Sequence, residues 1–89
     1  MVIFSDVQPL TPVHLLVVPR KHITSLAEMS DGETPIIGKM VKAANKVAKD
    51  LGIAESGYRL TINSGADAGQ VVFHLHMHLM GGRPLVWKH

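Results

Sequence analysis

The clearest periodicity lies in the middle of the chain. Ile36, Ile37, Met40, Val41, Ala44, Val47, Ala48 and Leu51 recur at three- and four-residue intervals, with Lys39, Lys42, Asn45, Lys46 and Lys49 on the other face. This predicts one amphipathic helix with a buried stripe. Gly52 stops it, and Ser30 and Thr34 are candidate caps ahead of Pro35, which suits a first helical turn. Upstream, residues 13–18 are apolar apart from His14 and end at Pro19-Arg20-Lys21, which fits a buried strand. Residues 2–4 favour a short strand. Gln8-Pro9-Leu10-Thr11-Pro12 then blocks any regular element, because proline fixes φ and lacks a donor. A short helical turn fits between Ile23 and Met29. Downstream of the helix, residues 58–63 alternate as a half-buried strand, residues 64–69 form a glycine-containing loop, and residues 71–80 read as a final strand ended by Gly81-Gly82. The tail from Arg83 has no periodicity. The order strand, strand, helix, strand, strand predicts an α+β fold: an antiparallel β-sheet with one helix packed on one face, as a single domain over residues 1–89.

Composition narrows the function classes. Eighty-nine residues support one small core, so dimerisation would add needed burial, and four aromatic residues leave that core aliphatic. The net charge of +2 comes with no dense basic tract, so charge makes no case for nucleic acid, while a small anionic substrate remains compatible. Absence of cysteine excludes a disulfide framework, a thiolate zinc site and a cysteine nucleophile. The first residues lack the basic flank and apolar stretch of a signal peptide, and no apolar run approaches the ~20 residues of a membrane span. The expectation is a cytoplasmic protein with no membrane association.

Candidate chemistry sits in His74-Leu75-His76-Met77-His78-Leu79. A two-residue period places the three imidazoles on one face and Leu75, Met77 and Leu79 on the other, which is expected to meet the helix. A polar strand face would explain one or two such histidines, and three of the six in strict alternation are harder to assign to surface composition. One reading is metal binding. At ~3.3 Å per residue, however, His74 and His78 stand roughly 13 Å apart along a strand, whereas ligands at ~2.1 Å from one zinc must converge; His14 or another imported ligand would be required. A second reading gives each histidine its own role along an anionic substrate. A neutral imidazole is a competent nucleophile near neutral pH and forms a labile phosphoramidate on attacking phosphorus. The flanked middle histidine, His76, is then the natural nucleophile, with neighbours supplying protons and hydrogen bonds.

His74-Leu75-His76-Met77-His78-Leu79-Met80 resembles the His-x-His-x-His motif that names the histidine triad (HIT) family. Phe4-Ser5-Asp6-Val7, the stretch from Thr11 to Ile23, Gly57-Tyr58-Arg59, Asn63, Gly69-Gln70 and Gly81-Gly82-Arg83-Pro84 resemble its Hint branch, the histidine triad nucleotide-binding proteins, over nearly the whole chain. The resemblance implies a purine nucleoside phosphoramidase that cleaves the P–N bond, acts as a homodimer and uses no metal or other cofactor. It implies His76 as the nucleophile that becomes nucleotidylated, His78 and His14 as residues holding or polarising the phosphate site, and His74 as the first triad member. It places Asn63 and the Gly69-Gln70 backbone by the α-phosphate, Asp6 on the ribose hydroxyls, and Phe4 and Val7 beside the base.

Taken singly, these residues have plainer uses: Asn63 in a turn, Asp6 as a solvated carboxylate, Phe4 and Val7 as core. His22 and His89 read as surface residues and Trp87 as a packed anchor. Two departures from the Hint pattern stand out. The family usually begins some thirty residues earlier, so Met1 is either the native start of a shortened domain or the edge of a fragment, with a base site expected to be incomplete. Val71 stands where many Hint proteins carry serine, and valine neither donates nor accepts a hydrogen bond. Alternatives therefore stay open: a nucleotide-binding or regulatory module with weak turnover, a metal-binding domain, or a dinucleoside polyphosphate hydrolase of the same family.

Overall fold

The computed structural model describes residues 1–86; Trp87 and His89 lie outside the described residues. Strands β1 (Val2–Ser5), β2 (Val13–Val18), β3 (Tyr58–Thr61) and β4 (Met77–Gly81) form one antiparallel sheet in the order β1-β2-β4-β3. Among the described residues one α-helix, α1 (Pro35–Asp50), lies between β2 and β3 in sequence and packs on one face. This is the α+β arrangement read from the sequence. Among the described residues no helix is long and apolar enough to cross a membrane.

The helix follows from its stripe and its ends. Met40, Ala44 and Ala48 are fully buried, and Pro35 occupies the first turn, where its missing N–H costs nothing. Thr34 is in the cap position without a side-chain cap; its hydroxyl donates to the Asp31 carbonyl. Ser30 instead forms a reciprocal capping box with Glu33 on the preceding 3-10 turn, Asp31–Glu33. At the C-terminus Gly52 adopts φ +76°. Its N–H bonds to Lys49 O at 3.1 Å while Ile53 N–H reaches Ala48 O at 3.0 Å, the paired bonds of a Schellman motif. Ile53 then packs with Ala48 and Leu79.

Beneath α1 the main core joins Val17, Ile23, Met40, Ala44, Leu75 and Met77, with Leu79 in the adjoining cluster. Leu75, Met77 and Leu79 are at most 3% exposed, so the apolar half of the histidine stretch faces the helix, as expected. The strand itself is shorter than predicted. Residues 71–76 are not in the ladder, and of the three triad histidines only His78 lies on β4. The cause is at the partner: β2 pairs up to Val17↔Met77, and two residues on stands Pro19, which has no N–H to continue the ladder. The chain ahead of β4 stays anchored differently, with Leu75 N–H bonded to Ile23 O at 2.6 Å. Alternating burial therefore persists through His74 and His76 without strand pairing.

Because the Leu75 side chain is wholly buried in the core, Leu75→Ala is expected to cost about 2–5 kcal/mol of stability. Urea unfolding of the two proteins measures it.

Candidate active site

The sheet face opposite α1 carries the chemistry. Register sets Phe4, Leu16, His78 and Thr61 in one row across all four strands. His14 lies two residues before Leu16 and so projects from the same face, diagonal to His78. Asp6 follows β1, its N–H bonded to His14 O at 3.0 Å. A cavity of about 360 Å³ opens over this face, lined by Phe4, Ser5, Asp6, Val7, Leu16, Asn63, Gly69, Val71, Val72, His76 and His78. A second of about 250 Å³ adjoins it at Phe4, Leu16, Val72 and His76 and adds Val18 and His74. Another cavity, about 400 Å³, lies elsewhere against Ser56, Gly57, Gly82, Arg83 and Pro84 and is lined by no histidine.

Hydrogen-bond partners assign the protons on the rings. His76 Nδ1 lies 2.8 Å from the carbonyl of His74; a carbonyl only accepts, so Nδ1 carries the proton and Nε2 holds the lone pair in the neutral ring. His74 Nε2 likewise donates to Pro19 O at 3.0 Å. The Leu10 amide, which only donates, reaches His14 Nδ1 at 3.0 Å. His14 therefore bears its proton on Nε2, which lies 2.9 Å from His78 Nδ1. It follows that His78 accepts at Nδ1 and its own proton is on Nε2. His14 is 5% exposed, so this order is set away from solvent.

Asp6 Oδ2 stands 3.4 Å from His14 Nε2. With Nδ1 accepting from Leu10, His14 is neutral, and the contact is a shared hydrogen bond in place of an ion pair. Asp6, His14 and His78 also offer three potential ligand atoms within 4.8 Å of one another. A metal on His14 Nε2 would require that ring's proton to move to Nδ1, against the Leu10 N–H that points there, so as it stands the cluster is arranged for hydrogen bonding. His74 and His76 lie outside that cluster, consistent with the spacing argument against a shared ion.

The His78 ring is held below its ordinary pKa of 6.5, first by burial, then by the neighbouring His76 and His14, with Asp6 opposing. All three triad rings are partly buried, and those of His76 and His78 meet edge to face with centroids 5.1 Å apart.

Most residues singled out in the sequence converge here. Phe4 and Val7 are 48% and 94% exposed, so they rim the cavity and are not core. Asn63 and Gly69 line it. Gln70 does not: it is 3% exposed, its amide donates to Thr24 O and Val72 O, its side-chain oxygen accepts from Gly65 N–H, and its backbone N–H goes to Gly65 O. With both amide ends and the backbone donor committed within the chain, Gln70 braces the loop. His74 does not line the cavity of about 360 Å³, and its ring stands edge-on to exposed His22 at 4.9 Å. Leu16 and Val72 were missed, though Leu16 shares the two-residue period of His14. Val71 is 83% exposed and presents an apolar group to the cavity.

These features coincide with known proteins. The HIT domain model matches residues 1–85. A purine nucleoside phosphoramidase of Escherichia coli is 44% identical over 82 residues, 92% of this chain and 69% of that protein. A HIT-like protein of Synechocystis is 45% identical over 84 residues, 94% of this chain and 73% of that protein. A HIT family hydrolase from Clostridium thermocellum superposes with a TM-score of 0.91 at 50% identity, covering 97% of this chain and 75% of the other. The chain belongs to the HIT family and is related in both sequence and fold to HIT hydrolases.

The lowered His78 value fixes the sign of a pH effect. Between the folded value and 6.5 the unfolded chain binds the extra proton, so stability is full above 6.5 and falls as pH drops through that window. Urea midpoints compared between about pH 7.5 and about pH 5 are expected to fall less for His78→Gln than for the parent protein.

Proposed function

We propose that this chain is a hydrolase that cleaves purine nucleoside 5′-phosphoramidates through a nucleotidyl intermediate on His76. The observation that carries the reading is the His76 ring, whose Nδ1–H is spent on the His74 carbonyl, leaving the Nε2 lone pair for a cavity it shares with His78 and Asn63. Attack by Nε2 on phosphorus breaks the P–N bond, and the amine leaves with that electron pair and a proton drawn from solvent. His78 Nε2–H donates to a non-bridging oxygen, stabilising the charge that develops there. Water then attacks phosphorus, the bond to His76 breaks, and the proton returns to solvent with release of the nucleoside monophosphate. In this reading the neutral array His14–His78 is a directed donor whose proton order is set before substrate arrives.

Asp6 takes the ribose hydroxyls, Asn63 and the Gly69 backbone approach the α-phosphate, and Phe4 and Val7 lie against the base. The phosphoramidase relative supports this choice over the polyphosphate hydrolases of the family. The protein acts in the cytoplasm as a homodimer, for which β3 supplies a sheet edge unpaired among the described residues. Val71 favours a second reading: with no hydrogen-bonding group at that point of the cavity, the domain would bind purine nucleotides with slow turnover.

Mixed briefly with an adenosine 5′-phosphoramidate in the presence of chelator, the protein is expected to gain one adenylyl group on His76 and to release AMP. His76→Ala and His76→Gly are expected to abolish both. Turnover retained in those variants rejects the nucleophile, and nucleotide affinity without turnover in the parent protein selects the binding module.

A further inference from the structure

We infer that Arg83, outside the cavity, is a positioning residue that sets the proton order of His14 and His78 through the backbone of Leu10. Its guanidinium donates from Nη2 to Leu10 O at 3.1 Å, with Nη1 on Pro84 O at 3.1 Å. The same residue, Leu10, directs its N–H to His14 Nδ1 at 3.0 Å. One peptide segment is thus held from one side by Arg83 and reads out on the other as a fixed donor against an imidazole.

A second contact holds the same loop. Gly82 has φ +95°, and a Cβ there would stand 2.9 Å from Pro12 Cβ and 3.4 Å from Val13 N. The chain after β4 therefore lies directly on the loop before β2, and Arg83 reaches Leu10 across that close approach. Only glycine fits the conformation and the spacing together.

The consequence for His78 is a matter of proton count. While Leu10 donates to Nδ1, His14 carries its proton on Nε2 and gives it to His78 Nδ1. Without that donor only the longer Asp6 Oδ2 contact, 3.4 Å from His14 Nε2, still favours a proton there, and the other tautomer of His14 becomes accessible; in it Nε2 is an acceptor and His78 must turn its own proton inward on Nδ1. The nitrogen facing substrate would then have a lone pair where a donor is needed. Arg83 acts in this way through Leu10 and His14 and touches no reacting atom. The inference rests on the reading above, in which His78 donates from Nε2, but its first readout does not depend on turnover.

Imidazole nitrogen NMR of the full chain, with His14 assigned by loss of its signals in His14→Gln, reports the tautomer directly. The parent protein is expected to show His14 protonated at Nε2 alone, and Arg83→Met a mixture of both tautomers. Arg83→Lys, which retains a cation able to reach Leu10 O, restores the Nε2 form in part. Gly82→Ala leaves the guanidinium in the chain but displaces its support, and moves the tautomer in the same direction; it serves equally should Arg83→Met fail to fold. Single-turnover nucleotidylation of His76 is expected to fall about three- to tenfold in Arg83→Met, the scale of one lost hydrogen bond, with KM unchanged. A pure Nε2 tautomer in both folded Arg83→Met and Gly82→Ala overturns the inference, whether or not the rate falls. Absence of any adduct in the parent protein would instead overturn the reaction, leaving the tautomer result to stand by itself.

Discussion

Burial of Leu75, Met77 and Leu79 against α1 is the constraint from which the site follows. These three side chains lie in the core with Met40, Ala44 and Ala48, and a backbone of period two has no choice but to turn the intervening histidines to the opposite face. Removing that face from water stabilises the fold and orients the chemistry in the same act. The arrangement is strict because a shift of one residue would exchange the two faces, burying imidazoles and exposing leucines. His76 and His78 are thus presented to the cavity by packing beneath them, with no strand pairing needed at His76.

On the open face the deciding quantity is which nitrogen bears each proton. Three backbone groups make that decision: the His74 carbonyl for His76, the Leu10 amide for His14, and the Pro19 carbonyl for His74. Backbone groups are suited to the task since an amide can only donate and a carbonyl can only accept. Side chains with both capacities, such as His78, then inherit their tautomer from neighbours. Burial of His14 keeps water from offering the alternative partner, and burial also lowers the basicity of His78. A row of identical residues is in this way divided into a lone pair at His76 and a donor at His78.

Much of this was legible in the chain itself. The helix was visible because its stripe is local, and its C-terminus because Gly52 is needed for a left-handed turn. The boundaries of β2 matched because prolines stand on both sides of it. The final strand was overextended because alternation alone does not distinguish a paired strand from an extended segment held by one bond to Ile23; Pro19, on another element, ends the pairing. Gln70 looked like part of a phosphate loop and is a brace, because an amide's partners lie 46 residues away at Thr24 as well as nearby. Leu16 and Val72 carried no chemical signal of their own, and only the cavity's shape brings them to the site.

The amino-acid sequence by itself determined the element types, the face on which each histidine falls and the family to which the chain belongs, since all of these depend on spacing along a continuous backbone. Tertiary structure decided what the histidines can do. His14 and His78 are 64 residues apart and meet at 2.9 Å only because β2 and β4 are neighbours in the sheet. Leu10 meets His14 because its loop is folded back over the start of β2, with Arg83 against it. Proton positions are properties of those meetings: a spacing pattern specifies where an imidazole points, and only its partner specifies which nitrogen is free to react.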